Sequence, residues 1–102
     1  LRVYLSGDPI NNFAEHESLL SPIRHLEPSI GFLTNHPTEG EFPFFDGSAK
    51  TAASLGLKTA VPAHYGCFVK RDYDPRQWAS HLGDVTEPLI IAYNQSVVFA
   101  PS

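Results

Sequence analysis

The chain has 102 residues, 42% hydrophobic and 18% charged, with a net charge of −4. That length allows one small domain with its own core, and the composition is that of a folded chain, not a disordered one. With seven Lys and Arg in total there is no nucleic-acid footprint and no basic membrane face, no apolar run approaches the ~20 residues of a membrane span, and the single cysteine, Cys67, excludes an internal disulfide.

The sequence opens on Leu1-Arg2-Val3-Tyr4-Leu5, with no initiator methionine and no signal-peptide pattern. Val3 and Leu5 alternate with Arg2 and Tyr4, which predicts a strand. A chain that begins inside a strand is expected to be a processed or truncated product, or one piece of a larger domain. The strand ends at the breaker cluster Ser6-Gly7-Asp8-Pro9. Asp8 therefore sits at a strand end, where it serves either as a turn or helix cap or as a site residue.

Between positions 11 and 27, Phe13, Leu19, Leu20, Ile23 and Leu26 recur at three- and four-residue steps, giving one apolar helical face. Pro22 removes a donor inside that pattern, so two short pieces or one kinked helix starting near Glu15 are predicted. His16 and His25 fall on or near its polar side and read as solvated. Residues 29–33 read as a second strand.

The stretch from 34 to 47 has no period and carries His36, Glu39, Glu41 and Asp46, as well as Phe42, Phe44 and Phe45. A loop of that length in a small domain is usually functional or poorly ordered. The phenylalanines either cover a pocket or plug the edge of the core. His36 follows the second strand and is a candidate for contact with a substrate, or else a surface histidine. A helix over 48–55 is predicted next, with Ser48 as its cap and Gly56 as its stop.

The organising stretch is Val61-Pro62-Ala63-His64-Tyr65-Gly66-Cys67-Phe68, which follows the buried strand Lys58-Thr59-Ala60-Val61. Pro62 is expected to end that strand. His64 then lies past the strand's C-terminal end, where open α/β sheets place their ligand sites. Its imidazole is either a metal ligand or a half-buried histidine bonded to a backbone carbonyl. Asp74-Pro75 opens a helix to about Leu82 that packs Trp78 and Leu82 inward. The runs 89–93 and 96–99, on either side of a turn at Asn94-Gln95, read as a final hairpin. The predicted order is β-α-β-α-β-α-β-β, an α/β layered fold with Asp8, His36 and His64 on one rim.

The strand ending Ser6-Gly7-Asp8, the strand Ile30-Gly31-Phe32-Leu33, the alanine-rich helix and the strand ending in Val61-Pro62-Ala63-His64-Tyr65-Gly66 together resemble the C-terminal half of a metallo-β-lactamase-fold hydrolase. Within that superfamily, His64-Tyr65-Gly66-Cys67-Phe68 followed by Asp74-Pro75 is similar to the ascorbate-6-phosphate lactonase (UlaG-like) branch. The phospholipase D branch that cleaves N-acylphosphatidylethanolamines has a comparable turn. The resemblance implies half of an αββα sandwich, a single partial domain over residues 1–102. It makes Asp8 the carboxylate bridging two divalent metals, zinc or manganese, and His64 the last histidine ligand of one of them. Such metals would activate a water for attack on a lactone or a phosphorylated small molecule. Lys70 or Arg71 would hold a substrate phosphate and Tyr65 would sit behind the metal ligands; solvated charges and core packing are the plainer readings of these three.

The sequence also departs from that family. Its main histidine-x-histidine-x-aspartate-histidine motif is absent, and Pro9 stands where a threonine or serine usually follows the aspartate. Two ligands do not complete a zinc site. Alone, the chain is expected to be incompetent as a hydrolase. Either a second chain or a homo-oligomer completes the sandwich, or the half-domain is a non-catalytic binding or oligomerisation module. No nucleic-acid partner is expected, and the expected location is the cytoplasm.

Overall fold

The computed structural model describes residues 1–10, 12–35, 45–63, 65, 72–92 and 95–100. Its elements in chain order are β1 (Val3–Leu5), a 3-10 turn (Phe13–Glu15), α1 (Glu17–His25), β2 (Ile30–Thr34), α2 (Phe45–Leu55), β3 (Thr59–Ala63), α3 (Pro75–Ala79) and β4 (Glu87–Pro88). The strands form a single sheet in the order β1-β2-β3-β4, and every pair is parallel. This is an α/β fold with helices returning the chain between parallel strands, as such connections require.

Strand alternation divides the sheet into two unlike faces. Tyr4, Gly31, Leu33 and Ala60 face the helices; Leu33 and Ala60 join Leu20, Phe45, Ala52, Leu55, Leu57, Tyr73 and Trp78 in the core, and Tyr4 packs against it. Val3, Leu5, Ile30, Phe32 and Val61 point the other way. On β1, then, the aromatic residue turns inward while the aliphatic pair faces out, and Val3 and Leu5 remain exposed. Burial raises the pKa of the Tyr4 hydroxyl.

The N-terminal helical region is split, but at His16 and not at Pro22. Helix α1 runs through Pro22, whose missing donor costs only the Ser18 carbonyl, and Ser18 is exposed to water. Of its apolar residues Leu20 is buried and Phe13 and Ile23 pack on the core, whereas Leu19 and Leu26 are exposed. His25 is exposed and His16 half-buried. Arg24 ties α1 to α2 by donating to the Ser54 carbonyl at 2.7 Å, and it pairs with Glu17, which holds that carboxyl below its ordinary pKa.

Helix α2 extends upstream of the predicted cap. Ser48 lies inside it, buried, and its hydroxyl accepts from the Trp78 indole at 3.1 Å. The C-terminal stop is as expected. Gly56 takes φ +68, its N–H donates to Ala53 and the Leu57 N–H to Ala52, a Schellman closure. Asp74 caps α3 by accepting from the Arg76 N–H at 2.9 Å, and Arg76 lowers its pKa. That helix is shorter than predicted, with Trp78 fully buried and Leu82 beyond its end against the core.

Two expectations are corrected. Pro62 does not end β3, because it lies within the strand and pairs with Leu33. The Ala60 carbonyl accepts from Leu89 on the β4 side, so the amide that Pro62 lacks would also have pointed to β4. Pro62 therefore ends the β3–β4 ladder while leaving β2–β3 intact. The final hairpin is also absent among the described residues, where residues 89–92 and 95–100 carry no strand. The single closing strand is Glu87–Pro88, parallel to β3.

One residue stands out for its backbone. Glu27 follows α1 with φ +52, a conformation that favours glycine. Glu27→Gly is expected to raise stability by about 0.5–1 kcal/mol, the relief of left-handed strain less the entropy of glycine. A urea midpoint that falls would refute this.

Candidate functional site

The C-terminal ends of β1, β2 and β3 form one rim. At β1, the Ser6 N–H donates to Phe32 at 3.0 Å and the Ser6 hydroxyl accepts from the Thr34 N–H at 2.9 Å, fixing the turn to β2. Gly7, with φ +60, then turns the chain outward. Asp8 follows, exposed, and among the described residues its side chain makes no hydrogen bond, so it caps nothing there.

The ends of β2 and β3 are joined by a buried polar network. Asn35, immediately after β2, donates from Nδ2 to the Leu33 carbonyl at 3.0 Å and to the Tyr73 hydroxyl at 3.2 Å. The Tyr73 hydroxyl in turn donates to the Ala63 carbonyl, the last residue of β3, at 2.6 Å. One acceptor, Asn35 Oδ1, is buried without a partner. The ring of Tyr73 packs edge-on to Phe45 at 5.4 Å and tilted to Tyr65 at 5.4 Å. Phe45 is thus a core plug. Tyr65 packs on the core and donates from its hydroxyl to the Ile91 carbonyl at 3.3 Å.

At the start of α2, Asp46 accepts from His81 Nδ1 at 2.6 Å, and the imidazole lies 5.3 Å from the Phe45 ring. The contact orients the ring and ties α2 to the chain after α3. Sequence reasoning did not single out Asn35, Tyr73 or the pairing of His81 with Asp46. Tyr73 was hidden in the polar run Lys70-Arg71-Asp72, and the other contacts join positions 35 and 38 residues apart in topology that local pattern does not encode.

Of the sequence-predicted site residues, Asp8 and Tyr65 are described and the structure does not bring them into one cluster. His36, His64, Lys70 and Arg71, along with Phe42, Phe44 and Cys67, lie outside the described residues. Among the described residues no three His, Cys, Asp or Glu side chains converge to hold a metal ion. A zinc or manganese site needs several donors, and of the two ligands that the sequence suggests only Asp8 is among the described residues. No helix among them is long and apolar enough to cross a membrane.

A cleft of about 680 Å³ opens at the opposite rim, at the N-terminal ends of β2 and β3, bounded by Ser29, Lys58, Thr59, Leu89, Val97 and Phe99. Residues 97–100 therefore lie at the rim opposite Asp8, with open space between them and the sheet.

No family model matches the chain, and no curated protein matches it. Among solved structures it is similar to Igni18, a metallo hydrolase from the hyperthermophilic archaeon Ignicoccus hospitalis, with a TM-score of 0.69 and 17% identity. The likeness covers 81% of this chain and 36% of that one, so the chain spans about a third of its neighbour's length. At that identity the likeness concerns the fold, here the single parallel sheet and its helices.

Proposed function

We propose that this chain is a half-domain module that acts through the exposed edge strand of its sheet, docking there against a partner, and that it is not catalytic on its own. The observation that carries this is the unlike pair of sheet faces. One is sealed by helices; on the other Ile30 and Val61 are buried, while Val3 and Leu5 are exposed on β1, a strand with no outer neighbour. An apolar edge strand left open in this way is normally paired or covered. The fold likeness to about a third of a larger protein supports the same reading, as does the lack of a metal cluster among the described residues.

A second reading is favoured by the likeness to a metallo hydrolase. In it the chain is one partial domain that lends Asp8 and His64 to a zinc or manganese centre completed by another segment or chain. The substrate would be a lactone or phosphorylated small molecule, as in the UlaG-like branch, or a phosphodiester as in the phospholipase D branch.

The first reading is tested by a paired measurement on the purified chain. Zinc titration is expected to show no stoichiometric binding. A dye that fluoresces on apolar surface is expected to bind the native protein, and Leu5→Glu to weaken that binding without lowering the melting temperature, since Leu5 is exposed. Tight zinc binding lost in Asp8→Ala, with no change of dye binding in Leu5→Glu, would overturn the proposal in favour of the second reading.

A further inference from the structure

We infer that the partner at the open edge is a second copy of this chain, joined β1 to β1 in antiparallel register about a two-fold axis perpendicular to the sheet, with the two α1 helices side by side. This rests on the docking reading above and gives it a partner and a register.

Backbone direction fixes which groups are on offer. The Arg2 carbonyl accepts from Ser29 and the Ser6 N–H donates to Phe32, so even-numbered residues of β1 turn their backbone groups to β2. Those of Val3 and Leu5 therefore point out of the edge. The other edge, β4, is two residues long and blunted by Pro88. β1 has neither protection, and its one flanking cation, Arg2, is turned aside to the Leu26 carbonyl at 2.8 Å. Residues 97–100 line the cleft with the starts of β2, β3 and β4, and β1 has no part in it.

The outward groups are self-complementary. β1 runs from Val3 to Leu5, so its midpoint is Tyr4. An antiparallel pair centred on Tyr4 sets each Val3 opposite the partner's Leu5. Those are the residues whose N–H and carbonyl groups face out, so both exchange hydrogen bonds and no residue of the strand is left over. A shift of one residue would set outward groups against groups already spent on β2. On the side away from the helices, the same register lays Val3 beside the partner's Leu5 as an apolar cross-strand pair.

Helix α1 supplies the second half of the contact. It connects β1 to β2, while α2 connects β2 to β3, so α1 is the helix nearer the open edge. Arg24 reaches α2 from one flank of α1, and Leu20 and Ile23 face the core. Leu19, Pro22 and Leu26, spaced by three and four residues, form an exposed stripe on the opposite flank, towards the edge. The Arg2 bond to the Leu26 carbonyl pins the end of that stripe to the strand. Paired strands lie about 4.8 Å apart and α1 sits about half that spacing inside β1. A joined sheet therefore brings the two α1 axes to about 10 Å, where helices pack.

The surface so formed is apolar, isologous and closed. Leu1, Val3, Leu5, Leu19 and Leu26 are 76%, 49%, 69%, 45% and 60% exposed. Glu17 and Arg24 pair with each other within α1, which leaves the stripe between them apolar. Covering these residues in both copies removes roughly 1,000 Å² from water, the lower bound for a specific interface, so the dimer is expected to dissociate on dilution.

The test is sedimentation velocity on the chain over a range of concentrations, with amide hydrogen exchange read at Val3 and Leu5. The wild type is expected to dimerise as concentration rises, with exchange at both amides slowing in step. Leu5→Pro removes a donor that faces away from β2, and Leu26→Glu places a carboxylate on the exposed stripe. Each is expected to weaken the dimer about tenfold or more while leaving the helical circular dichroism unchanged. Leu26→Glu lies outside the sheet and carries the test if the proline disturbs β1. A dimer that persists in Leu26→Glu, or one whose Val3 and Leu5 amides exchange as fast as in the monomer, would overturn the two-fold edge contact. A wild-type chain that is monomeric at every concentration would overturn the second copy as partner, and the dye measurement would then decide the docking reading separately.

Discussion

Trp78→Ala is expected to bring the domain close to unfolding at ambient temperature. Trp78 is fully buried, and its indole N–H is spent on the Ser48 hydroxyl 30 positions away. It sits on α3, a helix of five residues, Pro75–Ala79. A helix that short has no stability of its own and holds its shape through docking and its cap. Removing the indole therefore detaches an element as well as opening a cavity. Such truncations cost about 3–5 kcal/mol, against the ~5–15 kcal/mol that a domain has in all. A chain of this length belongs at the low end of that range. Trp78→Phe keeps most of the apolar volume but strands the buried Ser48 hydroxyl, so it is expected to cost about 1–3 kcal/mol. Urea unfolding followed by far-ultraviolet circular dichroism measures both. A loss below about 1 kcal/mol for the alanine variant would mean that α3 does not anchor to the core.

How much of this was legible beforehand depended on whether the cause was local. Asp74-Pro75 and Gly56 carry their instructions within a few residues, as an N-cap carboxylate with proline at the first turn and as a left-handed stop, and both appear as read. The strands at Val3, Ile30 and Thr59 were likewise visible in their β-branched and apolar runs, and the order of strands and helices made the sheet parallel. Ser48 has the local marks of a cap, yet its hydroxyl answers to Trp78, a partner that only the packed structure supplies. Pro62 has the local marks of a strand end. Its effect falls on one side of the strand and depends on which neighbour its nitrogen faces, which is a property of register.

The closing runs show a different limit. Residues 89–92 and 96–99 have strong strand composition but form no strand in the single chain. Propensity states what a segment suits, and pairing requires an edge within reach. The candidate site divides in the same way. The position of Asp8 past a strand end followed from the breaker cluster after β1. The Asn35, Tyr73 and Ala63 network, which holds the ends of β2 and β3 together, needed the contact between distant loops.

Gly31→Val is the second large effect, and here composition and structure point in opposite directions. Gly31 lies in the middle of β2, where valine has much the better strand propensity, by up to about 1 kcal/mol. On propensity alone the change should stabilise. The space decides otherwise. A Cβ at position 31 would lie 2.5 Å from Leu57 Cδ1, with Tyr4 Cδ2 at 3.5 Å and Leu33 Cδ2 at 3.6 Å. Leu57 is itself fully buried, just past the glycine that closes α2, so its methyl has no free volume to move into. Overpacking of this kind costs about 1–3 kcal/mol for small additions, and valine adds two methyl groups beyond the Cβ. We expect a net loss of about 2–3 kcal/mol in urea unfolding. The cause is tested by the double variant Gly31→Val/Leu57→Ala, in which the new side chain enters the space the leucine leaves. Its stability is expected to exceed the sum of the two single effects by more than about 1 kcal/mol, because the two positions share one volume. Strict additivity would show that the glycine is held by something other than Leu57, and would remove the close approach of β2 to the start of β3 as the reason for a glycine at this point in the sheet.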